Sequence, residues 1–424
     1  MSFLANARTM LGGFAFAQVI SIAAMPLLTR IYSPGEFGLF ATFSGLMASL
    51  LVISSLRYEF AIPLPRSDIS ARSLLILALL INVVISFLAF VLLLASRHAI
   101  SDYLGEPALA NLLFLLPVVI LGGGSYKALN FWAIRGSAFG LIARTRVVQS
   151  LSNVGVQIAG GFAGWGAYGL VLGQFFGLAS GTVQLASSAR LGVQDFSDVM
   201  LRRRMRGVAR RHIRFPKFDV PASLVDVVSV QLPNILLAGL FSTAIAGFYL
   251  LAERVLSAPM SLVGQTIGQV LYAQSRDGAR VGTLRRSAVR IVLVLTGLSI
   301  VPAIILFLVG ESLFVIVFGE AWRQAGTFAS WLIVGLCVQF IYSAISVTLM
   351  ATEGQRLNLF IHSGMLVAKA IALTSGWLLG DPLVAIMAFS AVNFFGYLLA
   401  IFVVISHVER YSASSNRNSS IQSR

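Results

Sequence analysis

The chain has 424 residues, of which 57% are hydrophobic and only 11% charged, with a formal net charge of +15 and a mean hydropathy of +0.87. Soluble chains carry about 25% charged residues, so a soluble enzyme is excluded. Continuous, non-alternating apolar runs of 20 or more residues exclude a β-barrel and predict an all-α polytopic membrane protein.

Twelve spans are predicted, at about 9–31, 37–62, 72–95, 108–134, 141–163, 166–187, 218–241, 244–271, 285–309, 325–350, 357–379 and 382–406. Ala15-Phe16-Ala17 imitates a signal-cleavage site, but the apolar run continues to Leu28, which predicts a retained first helix. A tight turn follows, Tyr32-Ser33-Pro34-Gly35-Glu36-Phe37-Gly38-Leu39-Phe40. It has an echo 209 residues later at Phe241-Ser242-Thr243-Ala244-Ile245-Ala246-Gly247-Phe248-Tyr249. Further pairs keep the same order: Leu104-Gly105-Glu106 with Phe318-Gly319-Glu320, Arg135-Gly136 with Glu353-Gly354, and Phe176-Gly177 with Phe395-Gly396. Two six-helix lobes in parallel repeat are therefore expected, with a site between them near the midplane. The expected divisions are an N-terminal lobe over 1–187, a basic linker over 188–217, a C-terminal lobe over 218–406 and a polar, disordered tail over 407–424.

Charge distribution orients the spans. With the N-terminus inside, 24 of the 31 Lys and Arg residues fall in cytoplasmic segments and 3 in outside loops, leaving Arg57, Lys127, Arg254 and Lys369 within spans. The positive-inside rule then places both termini in the cytoplasm and explains the basic charge without a nucleic-acid partner. Cys337 is alone, so no intrachain disulfide is expected, and the four scattered His suggest no metal site. The short outside loops hold no catalytic constellation, no cofactor motif is visible, and Gly122-Gly123-Gly124 reads as a flexible or closely packed helix segment rather than a binding loop. A non-enzyme is expected.

The charges inside spans carry the functional argument, because each costs roughly 2.5–3.5 kcal/mol on insertion scales unless it faces a cavity or a partner. Glu253, Arg254 and Lys369 lie too deep to snorkel, which leaves a structural ion pair or a substrate site. Arg57, Glu59 and Lys127 fit either a cavity or a snorkel to the inner interface. Asp226 is open in the same way. Cations outnumber the carboxylates Glu59, Asp226 and Glu253, which suits an anionic substrate. Arg, with its planar fork, suits diphosphate. Tyr126, Trp132 and Tyr249 could stack on sugars or simply pack.

The stretch Pro26-Leu27-Leu28-Thr29-Arg30-Ile31-Tyr32-Ser33-Pro34, then Phe37-Gly38-Leu39-Phe40, then Arg57-Tyr58-Glu59 with Ala61-Ile62 and Leu64-Pro65, resembles the N-terminal signature of Wzx-type polysaccharide (O-antigen) flippases. These belong to the multidrug/oligosaccharidyl-lipid/polysaccharide exporter superfamily. The resemblance implies a V-shaped, alternating-access transporter in the bacterial cytoplasmic membrane. Its implied cargo is an undecaprenyl-diphosphate oligosaccharide: an O-antigen, capsule or exopolysaccharide repeat unit. A polysaccharide polymerase and a chain-length regulator are implied partners. On this reading Arg57, Lys127, Arg254 and Lys369 bind substrate, and Glu253, Asp226 and Glu59 are candidates for a coupling ion. The competing expectations are a cation-coupled multidrug exporter, a membrane polysaccharide polymerase or ligase, and a scaffold.

Overall fold

The computed structural model describes residues 3–103, 105–189, 199–281, 284–352 and 354–422. These residues form fourteen α-helices and no strand. In chain order they are α1 (Phe3–Ile31), α2 (Pro34–Ile53), α3 (Asp68–Tyr103), α4 (Pro107–Leu113), α5 (Leu116–Arg135), α6 (Phe139–Phe162), α7 (Ala167–Ala189), α8 (Val199–Arg211), α9 (Val220–Leu240), α10 (Thr243–Val281), α11 (Leu284–Phe318), α12 (Arg323–Ala351), α13 (Gln355–Leu378) and α14 (Pro382–Gln422). Every expected span has a counterpart. Among the described residues nine helices are both long and apolar enough to cross a membrane, and α4 with α5, bent by 44° at their junction, make a tenth if the pair counts as one span. The other two, α6 and α10, are long but polar; α6 carries Arg144, Arg146, Gln149, Asn153 and Gln157.

Three places gain detail. Span two does not run to residue 62: α2 ends at Ile53, and Leu56 and Arg57 take left-handed φ of 49° and 63° before a 3₁₀ turn over Tyr58–Ala61. No Pro or Gly causes the break. Ser54 Oγ donates to the Leu51 carbonyl at 3.0 Å, offering the backbone a local alternative to the next helical bond. The expected linker holds α8 and a π-helical turn, Phe215–Asp219; its residues 190–198 lie outside the described residues. The tail read as disordered continues α14 to Gln422. Extending an existing helix needs no new nucleus, and no Pro or Gly intervenes.

The chain divides into two compact units, Met1–Gly247 and Phe248–Arg424. In the first, α3 packs on α5, α5 on α7, and α6 on both α1 and α7, while α9 lies along α2. In the second, α11 packs on α12, α12 on α14, and α13 on α14. The pairings three–five, five–seven and six–seven thus recur as eleven–twelve, twelve–fourteen and thirteen–fourteen, the partners that the sequence repeat requires. Contact between α6 and α7 is close because Gly173, Gly177 and Gly181 form a stripe on α7. Side chains added there would run into Gln157, Asn153 and Gln149 of α6. Such small-residue stripes let membrane helices approach when burial of apolar surface offers no net drive.

The echoed turns meet inside the first unit. A Cβ on Gly38 would lie 1.6 Å from the Thr243 carbonyl oxygen, and one on Gly247 would lie 1.9 Å from the Pro34 carbonyl oxygen. Gly38 corresponds to Gly247 and Pro34 to Thr243 in the repeat, so the contact is reciprocal. Each glycine seats the first turn of the other helix against bare backbone.

Candidate functional site

Two cationic clusters emerge, one in each unit. In the first, the helix break turns Arg57 out of α2. Arg57 Nε donates to Asp219 Oδ2 at 2.8 Å, Nη2 donates to Ser223 Oγ at 2.7 Å, and the guanidinium lies 4.2 Å from the centre of the Phe60 ring. Asp219, Ser223 and Asp226 follow at helical spacing along the start of α9, so they share a face. Asp226 is exposed. Glu59, in the 3₁₀ turn, is 0% exposed. Its Oε2 accepts from Ser55 Oγ, while Oε1 has no hydrogen-bond partner among the described residues. Lys127 of α5 is within electrostatic reach of both Glu59 and Arg57, and its Nζ donates to the Leu51 carbonyl at 3.1 Å. That carbonyl is one of the acceptors freed where α2 ends. A buried carboxylate is tolerated when it is paired, and the Lys127 ammonium is a cation within its reach.

In the second unit, Glu253 and Arg254 are consecutive on α10 and half-buried. Ser257, one turn on, hydrogen-bonds the Glu253 carboxylate, and Arg254 and Tyr249 lie within its electrostatic reach. Lys369 of α13 is only 3% exposed. Its ammonium lies 5.3 Å from the Tyr397 ring centre and 5.7 Å from that of Phe389, and Nζ donates to the Tyr397 hydroxyl at 3.4 Å. Tyr249 meets Phe389 edge-on at 6.0 Å, which brings α10, α13 and α14 to one aromatic cluster. Rings stabilise a desolvated ammonium through their negative faces, by about 2 kcal/mol in dry surroundings.

The expected residues therefore separate. Arg57, Glu59 and Lys127 assemble in the first unit, with Asp226 two turns from Arg57's anchor. Glu253 and Arg254 adjoin in the second unit, and Lys369 sits among aromatic rings. Of the sugar-stacking candidates, Tyr126 is buried between Thr145 and Arg146, Tyr249 belongs to the Lys369 cluster, and Trp132 lines an open recess. Asp219, Ser223, Tyr397 and Asn82 were not expected. Asn82 alone had a visible signal, an amide inside the run Leu79-Leu80-Ile81-Asn82-Val83-Val84. It donates to the Leu121 carbonyl at 2.8 Å and packs against Gly124, so Gly123 and Gly124 are closely packed while Gly122 faces open space. Among the described residues no cluster of His, Cys, Asp and Glu could hold a metal.

The fold is shared with known transporters. The chain is similar to a lipid II flippase in an inward closed conformation, with a TM-score of 0.69 and 13% identity over 96% of this chain and 90% of that one. An inward-facing multidrug resistance transporter of the MATE family gives 0.62 and 12% over 96% of each chain. A transporter of the same superfamily from Pyrococcus furiosus, described as having a binding pocket of reverse polarity, gives 0.62 and 13% over 95% and 94%. No curated protein sequence matches the chain. A family profile described as "Polysaccharide biosynthesis protein" matches residues 27–326. That match spans well over half of the sequence, and the chain, a multi-pass membrane protein, belongs to this polysaccharide biosynthesis family.

Proposed function

We propose that this protein is a flippase that turns an undecaprenyl-diphosphate-linked oligosaccharide from the inner to the outer leaflet of the bacterial cytoplasmic membrane. The family match over residues 27–326 carries the reading. The fold shared with a lipid II flippase supports it, as do the cations inside the spans. The chain acts as a transporter rather than an enzyme, with six helices on each side of the 188–217 segment and both termini in the cytoplasm. Arg57, Lys127, Arg254 and Lys369 attract the diphosphate. Arg57 exchanges Asp219 for a phosphate oxygen, a substitution that keeps its fork doubly bonded. Glu59, Asp226 or Glu253 takes up the coupling H⁺ or Na⁺. The glycan is an O-antigen, capsule or exopolysaccharide unit, handed on to a polymerase and its chain-length regulator.

The test is where the lipid-linked glycan resides in cells depleted of this protein. An outside-only sugar label is compared with total extracted lipid-linked glycan. Accumulation on the inner leaflet, cured by re-expression, is expected. The double variant Arg254→Ala/Lys369→Met should insert normally and fail to cure it; full export by that variant removes these residues from the mechanism. Normal outward display, together with a drug-sensitivity phenotype, would instead favour the multidrug reading, whose fold is also shared, at a TM-score of 0.62.

A further inference from the structure

A second cationic feature lies outside both clusters. The start of α3 and the end of α5, with the loop that precedes α3, enclose an open recess of about 900 Å³. Three guanidinium groups line it, those of Arg66, Arg72 and Arg135, against one carboxylate, Asp68, with Trp132 as a wall. The recess is built rather than incidental. Arg135 donates through Nη1 to the carbonyls of Pro63 and Pro65, and through Nη2 to the Arg66 carbonyl at 3.3 Å and to Asp68 Oδ1 at 2.8 Å. Two prolines fix φ in the loop, and Arg135 ties that loop to the end of α5. The one lining carboxylate is thereby committed to Arg135, and Arg66 stands exposed at the mouth.

The apolar side of the recess says what kind of anion fits. Leu64 is 60% exposed and Ile69 50% exposed, and both line the same cavity as the arginines. A free phosphate would leave these side chains in water. An amphiphile would cover them with its chain while its phosphate met the guanidinium groups, with Trp132 at the polar–apolar boundary, where indole rings settle. The recess sits where two candidate spans end, α3 at Asp68 and the α4–α5 pair at Arg135, and headgroups lie at the ends of spans.

We propose that this recess is a binding site for the phosphate headgroup of a lipid. Arg66 holds the phosphate at the mouth, Arg72 lines the wall behind it, Trp132 and Leu64 flank the head of the chain, and Arg135 is a positioning residue that shapes the loop. The proposal does not depend on which cargo the two clusters carry, because it is read by binding alone. Two lipids share the required chemistry, a bilayer phospholipid and a polyprenyl diphosphate.

The full chain, purified in detergent, would be examined by native mass spectrometry with dioleoyl phosphatidylglycerol, undecaprenyl diphosphate, dioleoyl glycerol or inorganic phosphate added singly. Retention of a phosphate-bearing lipid over dioleoyl glycerol is expected. Arg66→Ala should weaken it roughly fivefold, as expected for one basic residue at an anionic lipid surface, and Arg66→Glu should weaken it further. Arg66 is exposed, so neither variant threatens the fold; Arg66→Lys should recover part of the loss. A stronger effect on phosphatidylglycerol identifies a bilayer-lipid site, and a stronger effect on undecaprenyl diphosphate a docking station for a cargo lipid; either supports the assignment. Equal retention by wild type and Arg66→Glu, equal retention of dioleoyl glycerol, or binding of inorganic phosphate alone would overturn it.

Discussion

The turns around Ser33 and Ser242 are two copies of one device, and they are finished differently. In both, a serine precedes the helix and its hydroxyl accepts a backbone N–H three residues on: Glu36 N at 3.4 Å in the first, Ile245 N at 3.3 Å in the second. In both, a glycine four residues into the helix is pressed against the other copy's backbone. The first copy closes its own end, since Glu36 reaches back to Ser33 N at 2.7 Å and completes a capping box. The second has Ile245 at that position and borrows a carboxylate instead: Thr243 Oγ1 donates to Glu106 Oε1 at 2.7 Å. Glu106 immediately precedes α4. One copy is therefore self-sufficient, while the other is tied to a distant segment of the chain. Both retain the capping serine and the glycine, and of these two only the glycine answers to the contact between the copies.

The largest effect should come from that shared element. Any Cβ at Gly38 or Gly247 meets backbone rather than a flexible side chain, so no rotamer change relieves it. Gly38→Ala and Gly247→Ala should each cost at least about 3 kcal/mol, the upper end for overpacking. The double variant should cost less than their sum, because both strain one contact. Thermal unfolding followed by fluorescence-detected size exclusion in detergent would show this. A wild-type melting temperature for either variant would mean that the two turns are not packed against one another. The same substitution at Gly122, where a Cβ meets open space, serves as the control.

The caps should separate next. Thr243→Val keeps the side-chain shape and removes the donor to a half-buried carboxylate, a bond of the charged class worth about 1.5–3 kcal/mol. Ser33→Ala removes an exposed cap that water partly replaces, for about 1 kcal/mol. Thr243→Val is therefore expected to melt at the lower temperature, and Glu106→Gln to fall between the two. If Ser33→Ala proves the more damaging, the self-contained cap is the more important one and the contrast drawn above is inverted.

These turns also show what the amino-acid order could and could not disclose. Nine long helices and the bent pair α4–α5 follow from apolar runs, a signal written locally into the chain. The repeat was legible because Gly38 and Gly247 sit at matching positions, yet nothing in the order said that the two would touch. The end of α2 was illegible for the opposite reason. Leu51-Val52-Ile53-Ser54-Ser55-Leu56 contains no breaker, and the break depends on side-chain bonds and on packing around Glu59. Depth within an apolar run was enough to single out Glu253, Arg254 and Lys369. Their surroundings were not available from depth. Tyr397 is 28 residues from Lys369 and Asp219 is 162 residues from Arg57, and pairings over such distances are a property of the fold rather than of any window of sequence.

The smallest expected effect at neutral pH sharpens the comparison most, because it touches one copy only. Tyr32 and Phe241 occupy equivalent places, and only the tyrosine has a hydroxyl to bury. It donates to the Gln157 carbonyl at 2.6 Å. Burial, with the negative charge of Glu36 nearby, pushes the Tyr32 pKa up to about 12. The unfolded value is near 10, so the folded chain holds this proton the more tightly. The resulting stability is fully present below about pH 10 and is lost as pH rises towards about 12. Tyr32→Phe should cost only about 1 kcal/mol at pH 7, the ordinary worth of one hydrogen bond. Between pH 10 and pH 12 the wild type should lose that lead, and its melting curve should converge on the variant's. Other alkaline titrations act on both proteins and cancel in the difference. A gap that stays constant up to pH 12 would mean that Tyr32 is no more enclosed than a surface phenol, and that the turn bearing it is packed no more tightly against α6 than its phenylalanine-bearing copy requires.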